Sequence, residues 1–426
     1  MQIQEPTQVT AEAVQPPEAL QPSWRALIEP WWKATLAILP VFLITRLIFL
    51  LLTYFGGVLF FVPNYWTGQL TWQSVLYTWY RWDAIRFITI ATKGYISLDY
   101  AAFFPLYPSL EQTLSRLLQL DILASGMIIS NVAFFGALIV LYRLVETEFD
   151  KDTARRTALY LAIFPTALFF FAAYNESLFL FFMLLCFYTM RRGSWWLAGL
   201  FGGLATLTRS LGLFLAIIFL FEFIRQTFPS LRKAWQEKQT RQLLRLLSDL
   251  LAALLIPLGL GVYAYGLYRH LGDPLAFSHA QASWRESLTT PWAAPLMGLK
   301  TVTHQSLFTF ASPHILIELT ALGLFLVLLV LAFVGPERFA RDQWIFILFG
   351  LLALVFALIF PGVPSAPGVP YDPMPSMQRF VLEVFPGFIM LARLGRRPWF
   401  HQGYLLLALP MLTFLTLQFM TGHWTI

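Results

Sequence analysis

Cysteine is nearly absent. Cys186 stands alone inside an apolar run, so the chain can form neither an internal disulfide nor a cysteine-based metal site. Charge is scarce as well: Asp, Glu, Lys and Arg make up 12% of the residues, about half the share usual in a soluble domain. No Walker loop and no dinucleotide-binding glycine pattern occurs, so a nucleotide-driven reaction has no visible seat. The opening residues lack the basic, apolar and small-residue order of a cleaved signal peptide. What fills the chain instead is apolar, with hydrophobic residues at 58%. Stretches such as 34–62 and 315–334 carry one charge each, Arg46 and Glu318, and reach the roughly 20 residues a bilayer-crossing helix needs. They are apolar nearly all round rather than on one face. The chain reads as an all-α polytopic membrane protein.

Eleven spans are expected, near 34–62, 124–145, 157–173, 176–191, 194–208, 210–226, 246–268, 313–334, 344–361, 378–394 and 403–420. With the N-terminus inside, nineteen of the 29 Lys and Arg residues fall on cytoplasmic segments, nine on outer segments, and Arg46 within the first span. The reverse orientation inverts that bias and is rejected, because excess cationic residues stay on the cytoplasmic side. The net charge of +6 has the same origin and does not indicate nucleic acid. Residues 1–33 read as a disordered cytoplasmic tail rich in Gln, Pro and Glu. Residues 34–426 form a single transmembrane domain. Within it lie a first extracytoplasmic loop (63–123), a basic cytoplasmic linker (227–245) and a long extracytoplasmic loop (269–312). The stretch 103–120 is expected to be a juxtamembrane helix on the outer surface, with Glu111 and Arg116 reaching for water.

Two hairpins look too short. Residues 157–191 and 194–226 must each cross twice, leaving about 16 residues or roughly 24 Å per helix, against a hydrocarbon core of about 30 Å. Their tips, Tyr174-Asn175-Glu176 and Thr208-Arg209-Ser210, should therefore sit below the outer surface and line a protein pocket.

The first outer loop carries the densest chemistry: Arg81-Trp82-Asp83-Ala84-Ile85-Arg86-Phe87, then Gly94-Tyr95 and Phe103-Phe104-Pro105-Leu106-Tyr107-Pro108. An aspartate flanked by a tryptophan and two arginines suits a general base. It equally suits an interfacial ion pair with Arg81 or Arg86. Asn175 and Glu176 read as an N-cap and first-turn acid or as ligands, and Arg209 as a helix-end residue reaching water or a phosphate ligand. Asp150-Lys151-Asp152 has the form of a nucleotide-sugar metal motif. Its cytoplasmic loop lacks a strand–helix–strand host, and a helix cap at Asp152 or Thr153 explains it better. Four of the six histidines, His270, His279, His304 and His314, lie on or beside the 269–312 loop, with no tight ligand spacing. A divalent metal is conceivable there but not indicated, and no cofactor is expected.

Taken together, these motifs resemble the PIG-V-type mannosyltransferase family, whose members add the second mannose of glycosylphosphatidylinositol anchors. The resemblance rests on Arg81-Trp82-Asp83-Ala84 with Phe87, Ile90-Ala91, Gly94-Tyr95, Phe103-Phe104-Pro105 and Pro108. It continues in order through Asn131 with Phe134-Phe135, Pro165, Phe171-Ala172-Ala173-Tyr174 with Glu176, and Ala205-Thr206 with Arg209-Ser210 and Gly212. Gln378-Arg379-Phe380 before Phe385-Pro386 resembles a later element of the family. Where the family often has histidine after Trp-Asp-Ala-x, this chain has Arg86.

The resemblance implies a GT-C-type bundle of about 11 transmembrane helices, with juxtamembrane helices in the first extracytoplasmic loop. It implies Asp83 as catalytic base, and a hexose, mannose first, moved from a polyprenyl-phosphate donor to an outer hydroxyl with inversion. Arg209, Arg379, Arg86 and Arg81 are then expected at the donor phosphate, and Trp82, Tyr174, Asn175, Glu176 and Tyr107 at the sugar or acceptor. Expected partners are the lipid-linked donor, a glycolipid, glycan or protein acceptor, and membrane lipid. The rival reading is a secondary transporter or lipid-linked glycan flippase. No internal repeat favours the rival, and the unusual polar residues cluster at one side. The expected setting is a bacterial inner membrane with the site facing outward, or the endoplasmic reticulum in a eukaryote.

Overall fold

The computed structural model describes residues 24–60, 71–309, 311–363 and 371–423. The first half of the chain forms α1 (Trp24–Phe60), α2 (Trp72–Leu76), α3 (Asp83–Lys93), α4 (Leu106–Leu118), α5 (Ile122–Glu148), α6 (Lys151–Ala162), α7 (Glu176–Arg191), α8 (Trp195–Thr208) and α9 (Leu215–Gln236). The second half forms α10 (Thr240–Leu251), α11 (Leu255–Leu271), α12 (Ala276–His279), α13 (Ala293–His304), α14 (Ala311–Val334), α15 (Trp344–Leu358), α16 (Met377–Phe380), α17 (Phe385–Leu394) and α18 (Pro398–Met420). Among the described residues there is no strand, only an isolated bridge between Arg285 and Gly362.

Among the described residues, seven helical stretches are long and apolar enough to cross a bilayer: Leu27–Phe60, Ile122–Glu148, Ser210–Gln236, Thr240–Leu271, Ala311–Val334, Arg341–Leu358 and Pro398–Met420. The protein is a multi-pass helical membrane protein. The other four expected spans are short or broken. The 157–173 segment is the clearest departure: α6 stops at Ala162, just before Pro165, because the residue preceding a proline is pushed out of the helical region. Residues 163–175 then run without regular helix, apart from a 3-10 turn at Ala167–Phe170, and are almost wholly buried. Irregular backbone at that depth needs internal partners. Asn131 donates to the Phe171 carbonyl at 3.1 Å, Arg46 to the Phe170 carbonyl at 3.2 Å, and Ser130 to the Tyr174 carbonyl at 2.8 Å. Arg46 thus serves the backbone, held as well by the Asn131 amide oxygen at 2.7 Å. The expected 378–394 span is broken too, into α16, a turn at Val381–Glu383, and α17 with a proline in its first turn.

Helix occupies part of the expected tail and most of the expected linker. The helix α1 begins at Trp24, so part of the expected tail 1–33 is helical, while residues 1–23 lie outside the described set. The expected linker 227–245 is mostly helix: α9 runs to Gln236 and α10 starts at Thr240, with a turn at Lys238 (φ 53°). Exposed Leu244, Leu247 and Leu251 share one face of α10, the pattern of a helix resting on a membrane surface. Residues 63–70 of the first outer loop are outside the described residues; the remainder holds α2, α3 and α4. The juxtamembrane helix expected at 103–120 is α4, with one correction. Glu111 does not reach water but is fully buried. It faces α5 at Gly126, where a Cβ would stand 2.2 Å from its Oε1; burial pushes its carboxyl well above the usual carboxylate range.

At the centre, α7 is packed by α5 and α8, and most of its length is buried. In lipid, apolar burial gives little drive for helix association, so close packing must supply it. The crossing of α8 with α11 shows how. A Cβ on Gly199 would lie 2.1 Å from the Ala252 carbonyl oxygen, and one on Gly203 2.5 Å from that of Leu255. Both obstacles are backbone and cannot swing aside. Gly203→Ala is therefore expected to destabilise the protein by about 1–3 kcal/mol, the usual cost of overpacking, read as a lowered unfolding temperature in detergent. Gly261→Ala, which meets nothing within 4 Å, is the control and should leave that temperature unchanged.

Candidate active site

The tips of the two short hairpins meet. Asn175, just before α7, donates its side-chain amide to the Thr208 carbonyl at the end of α8, at 2.8 Å. It makes no helix-capping bond. Beside it, Glu176 pairs with Arg209 and with Arg379 through the same Oε1. Arg379 reaches onward with Nη1 to Asp83 Oδ2 at 2.6 Å. Arg209 reaches backward with Nε to Glu383 Oε1 at 2.9 Å. The result is an alternating chain of charge, Glu383–Arg209–Glu176–Arg379–Asp83, assembled from α3, α7, α8, α16 and the turn after α16.

Exposure is greatest at Asp83. The Glu383 and Glu176 side chains are 2% and 1% accessible, Arg379 8%, Arg209 13% and Asp83 27%. Asp83 is thus the member open to a substrate, and the others stand behind it. Its aim is set by an unusual turn. Trp82 adopts φ 49° and ψ −116°, in the positive-φ region that favours glycine. The Tyr174 hydroxyl bridges this turn, donating to the Arg81 carbonyl and accepting from the Asp83 amide, both at 3.3 Å. The Tyr174 ring also lies under the Arg379 guanidinium, 4.8 Å from its centroid, a cation–π contact that holds the arginine in plane.

The other expected residues divide. Tyr174 and Tyr107 are fully buried and brace the site rather than line it. The Tyr107 hydroxyl contacts the Gly126 carbonyl at 2.9 Å and Ser130 Oγ at 2.8 Å, and Ser130 in turn holds the Tyr174 carbonyl. Arg81 donates to the Met420 carbonyl at the end of α18, at 3.2 Å. Arg86 pairs with Asp99 and lies over the rings of Tyr100 and Trp284. Although burial works the other way, Ser97 and Arg86 hold the Asp99 carboxyl below the usual carboxylate range. Neither Arg81 nor Arg86 is the cation paired with Asp83; Arg379, almost three hundred positions later in sequence, takes that place. Trp82 is half-buried at the mouth.

Sequence reasoning missed Glu383. Its signal was present, a carboxylate inside an apolar segment, directly after the Gln378-Arg379-Phe380 element. A second group of buried ligand-type side chains, His314, Glu318 and Asp372, stands close by, and Glu318 Oε2 accepts from the Gln378 amide at 2.6 Å.

The opposite end of α7 carries a different charge node. Arg191 pairs with Glu148 at 2.6 Å, Asp342 at 2.9 Å and Glu222 at 3.0 Å. Asp150 of the Asp-x-Asp sequence caps α6 by accepting from the Thr153 amide at 2.8 Å and pairs with Arg396 at 2.6 Å. The cap is Asp150 itself rather than Asp152 or Thr153, and the motif is structural as placed.

A multi-pass helical membrane protein with an acid–arginine chain at one end of its bundle, led by a half-open aspartate, belongs to the class of membrane-embedded proteins built around a polar site. The particular family is shown by sequence. The profile of the mannosyltransferase (PIG-V) family matches residues 57–292, more than half of the 426 residues, and the chain belongs to that family. It is similar to GPI mannosyltransferase 2 of Yarrowia lipolytica, 31% identical over 147 residues, 33% of this chain and 39% of that protein. It is also similar to GPI mannosyltransferase 2 of Schizosaccharomyces pombe, 28% identical over 151 residues, 34% of this chain and 32% of that protein. The matched part spans roughly a third of the length of these relatives. Among solved structures the chain is similar to ArnT from Cupriavidus metallidurans bound to undecaprenyl phosphate, with a TM-score of 0.49, 14% identity, and coverage of 85% of this chain and 62% of that one. It is also similar to the oligosaccharyltransferase AglB from Archaeoglobus fulgidus in complex with an inhibitory peptide and a dolichol-phosphate, with a TM-score of 0.43, 14% identity, and coverage of 94% and 56%.

Proposed function

We propose that this chain is a membrane glycosyltransferase of GT-C type. In this reading it moves a hexose, mannose on the family's evidence, from a polyprenyl-phosphate donor to a hydroxyl on the outer side of the membrane. The observation that carries the proposal is the position of Asp83: the end of a charge chain and its most accessible member, at 27% against 13% or less for the others. An acceptor hydroxyl brought to Asp83 gives up its proton as its oxygen attacks the anomeric carbon, the sugar–phosphate bond breaks on the opposite face, and the configuration inverts. General base assistance of this kind contributes about 10²–10⁴-fold.

The departing lipid phosphate gains negative charge, and a guanidinium near it stabilises the transition state more than the ground state. Arg379 is nearest to Asp83 and takes this role, with the half-exposed Arg86, one turn along α3, as the second cation. Arg209 is a positioning residue in this reading, since its partners are Glu176 and Glu383 and not Asp83. Trp82 and the mouth of α3 would contact the sugar or acceptor. The cationic bias of the Arg191 end supports an orientation with that end in the cytoplasm. The site then faces outward across a bacterial inner membrane, or into the endoplasmic reticulum lumen of a eukaryote.

The test is direct. Purified protein in nanodiscs receives polyprenyl-phosphate mannose labelled in the sugar, together with a total membrane extract as acceptor source. The expected result is label in a glycolipid, glycan or protein product, matched by release of free polyprenyl phosphate, with the product anomer opposite to the donor's. Intact donor after prolonged incubation, beside a wild-type-like folded protein, would overturn the assignment.

A further inference from the structure

Three side chains outside the charge chain converge on one point. His314 and Glu318 stand four residues apart at the start of α14, on one face of the helix. Asp372 comes from the segment that leads into α16. His314 Nε2 lies 3.5 Å from Asp372 Oδ2 and 4.0 Å from Glu318 Oε1, and the three atoms all fall within 4.8 Å of one another.

The two carboxylates are arranged alike. Glu318 uses Oε2 to accept from the Gln378 amide at 2.6 Å, and Asp372 uses Oδ1 to accept from the Met374 amide at 2.9 Å. Each therefore has one oxygen fixed by backbone and turns the other, Oε1 or Oδ2, toward the common centre, where neither finds a hydrogen-bond donor. Glu318 is fully buried. Two carboxylate oxygens facing each other away from water repel unless a proton or a cation lies between them. Arg285 is close enough to feel both charges, yet its guanidinium donates to the carbonyls of Phe360 at 3.0 Å and Pro375 at 3.3 Å.

We propose that His314, Glu318 and Asp372 form a binding site for one divalent transition-metal cation, Zn²⁺ in first preference and Mn²⁺ in second. One imidazole and two carboxylates are a donor set that suits these ions better than Mg²⁺ or Ca²⁺, which favour oxygen alone. Ligand bonds of about 2.0–2.2 Å place tetrahedral donors roughly 3.3–3.6 Å apart; His314 Nε2 and Asp372 Oδ2 already stand at 3.5 Å, while the 4.0 Å from His314 to Glu318 and the gap between the two carboxylate oxygens, within 4.8 Å, shorten as the three draw around an ion. Backbone amides hold both carboxylates in place, as outer-shell partners do in metal sites. Three protein ligands leave a coordination position for water. The ion's place in the fold also gives it a task. It ties α14 to the segment before α16, and Glu318 already grips the amide next to Arg379, so a bound cation positions that arginine. The site is independent of which sugar or lipid the protein handles.

Chelator-stripped wild-type protein in nanodiscs, titrated with Zn²⁺ and separately with Mn²⁺, tests the proposal. The expected result is one ion bound per chain, with a raised unfolding temperature. His314→Ala and Glu318→Gln should each weaken binding by at least about 100-fold, the upper end of what losing even an outer-shell partner costs. Both should abolish the thermal shift. The glutamine variant keeps an oxygen for the Gln378 amide and so guards against simple unfolding. No uptake by the wild type at saturating metal would overturn the proposal and leave a proton shared between Glu318 and Asp372 in its place. Equal uptake by folded variants would overturn it too. Should both variants fail to fold, the wild-type titration decides alone.

Discussion

Asp83→Asn should lower sugar transfer by roughly 10²–10⁴-fold, the contribution of a positioned general base, and should do so without weakening the fold. The charge chain explains why the two effects separate. It contains three carboxylates, Asp83, Glu176 and Glu383, and two guanidinium groups, Arg209 and Arg379. Asparagine removes the odd negative charge and still offers Arg379 an oxygen. Donor binding should change far less than turnover, because the change falls on the group that takes the proton and not on those facing the phosphate. The measurement is a steady-state comparison of kcat and KM beside a thermal unfolding curve. A variant with wild-type kcat would remove Asp83 from the chemistry, and one that fails to fold would make it structural.

Arg379→Met should produce the opposite balance, a large loss of stability together with loss of transfer. The guanidinium is nearly inaccessible and touches Asp83 and Glu176 with different nitrogens. Removing it leaves half-buried Asp83 without its cation and buried Glu176 with Arg209 alone, shared with Glu383. Breaking a buried pair from one side costs about 3–5 kcal/mol. Arg379→Lys should recover part of the stability but little of the activity, since one ammonium cannot serve two carboxylates in the fork geometry that Nε and Nη1 provide. A second change separates charge from packing. Glu176→Gln added to Arg379→Met should be less destabilised than Arg379→Met alone, because two buried carboxylates no longer compete for the one remaining arginine; the coupling follows from a double-mutant cycle on unfolding free energies. If the two losses simply add, Glu176 and Arg379 do not act as a pair.

Much of this site was legible in sequence, and for a physical reason. Hairpins 157–191 and 194–226 hold too few residues to cross fully, which marks their tips, with Asn175, Glu176 and Arg209, as polar groups needing protein partners; that they partner each other is what the structure adds. The charge bias likewise separates the Glu176 end of α7 from the Arg191 end. What stayed hidden depends on contacts distant along the chain. Asp83 has arginines at 81 and 86 beside it, yet its partner is Arg379, which only the packing of α16 on α14 and α15 brings within reach. The breaks at 163–175 and at Val381–Glu383 sit in segments whose hydropathy is that of a whole span; Pro165 and Pro386 mark them, but proline alone does not say whether a span kinks or stops. Arg46 looked like an anomaly in an apolar run, and its purpose is visible only beside the Phe170 carbonyl. The His314 cluster was hidden because Asp372 lies far along the chain from Glu318, with no ligand spacing for a reader to find.

The turn at Trp82 has a kinetic corollary. An indole-bearing residue held in a dihedral well made for glycine is uphill by about 1–3 kcal/mol, and only the assembled surroundings, the Tyr174 hydroxyl foremost, keep it there. During biogenesis the carboxylate would acquire its direction last, after the hairpins have docked. On warming, this corner should relax first, so inactivation would precede the melting of the bundle.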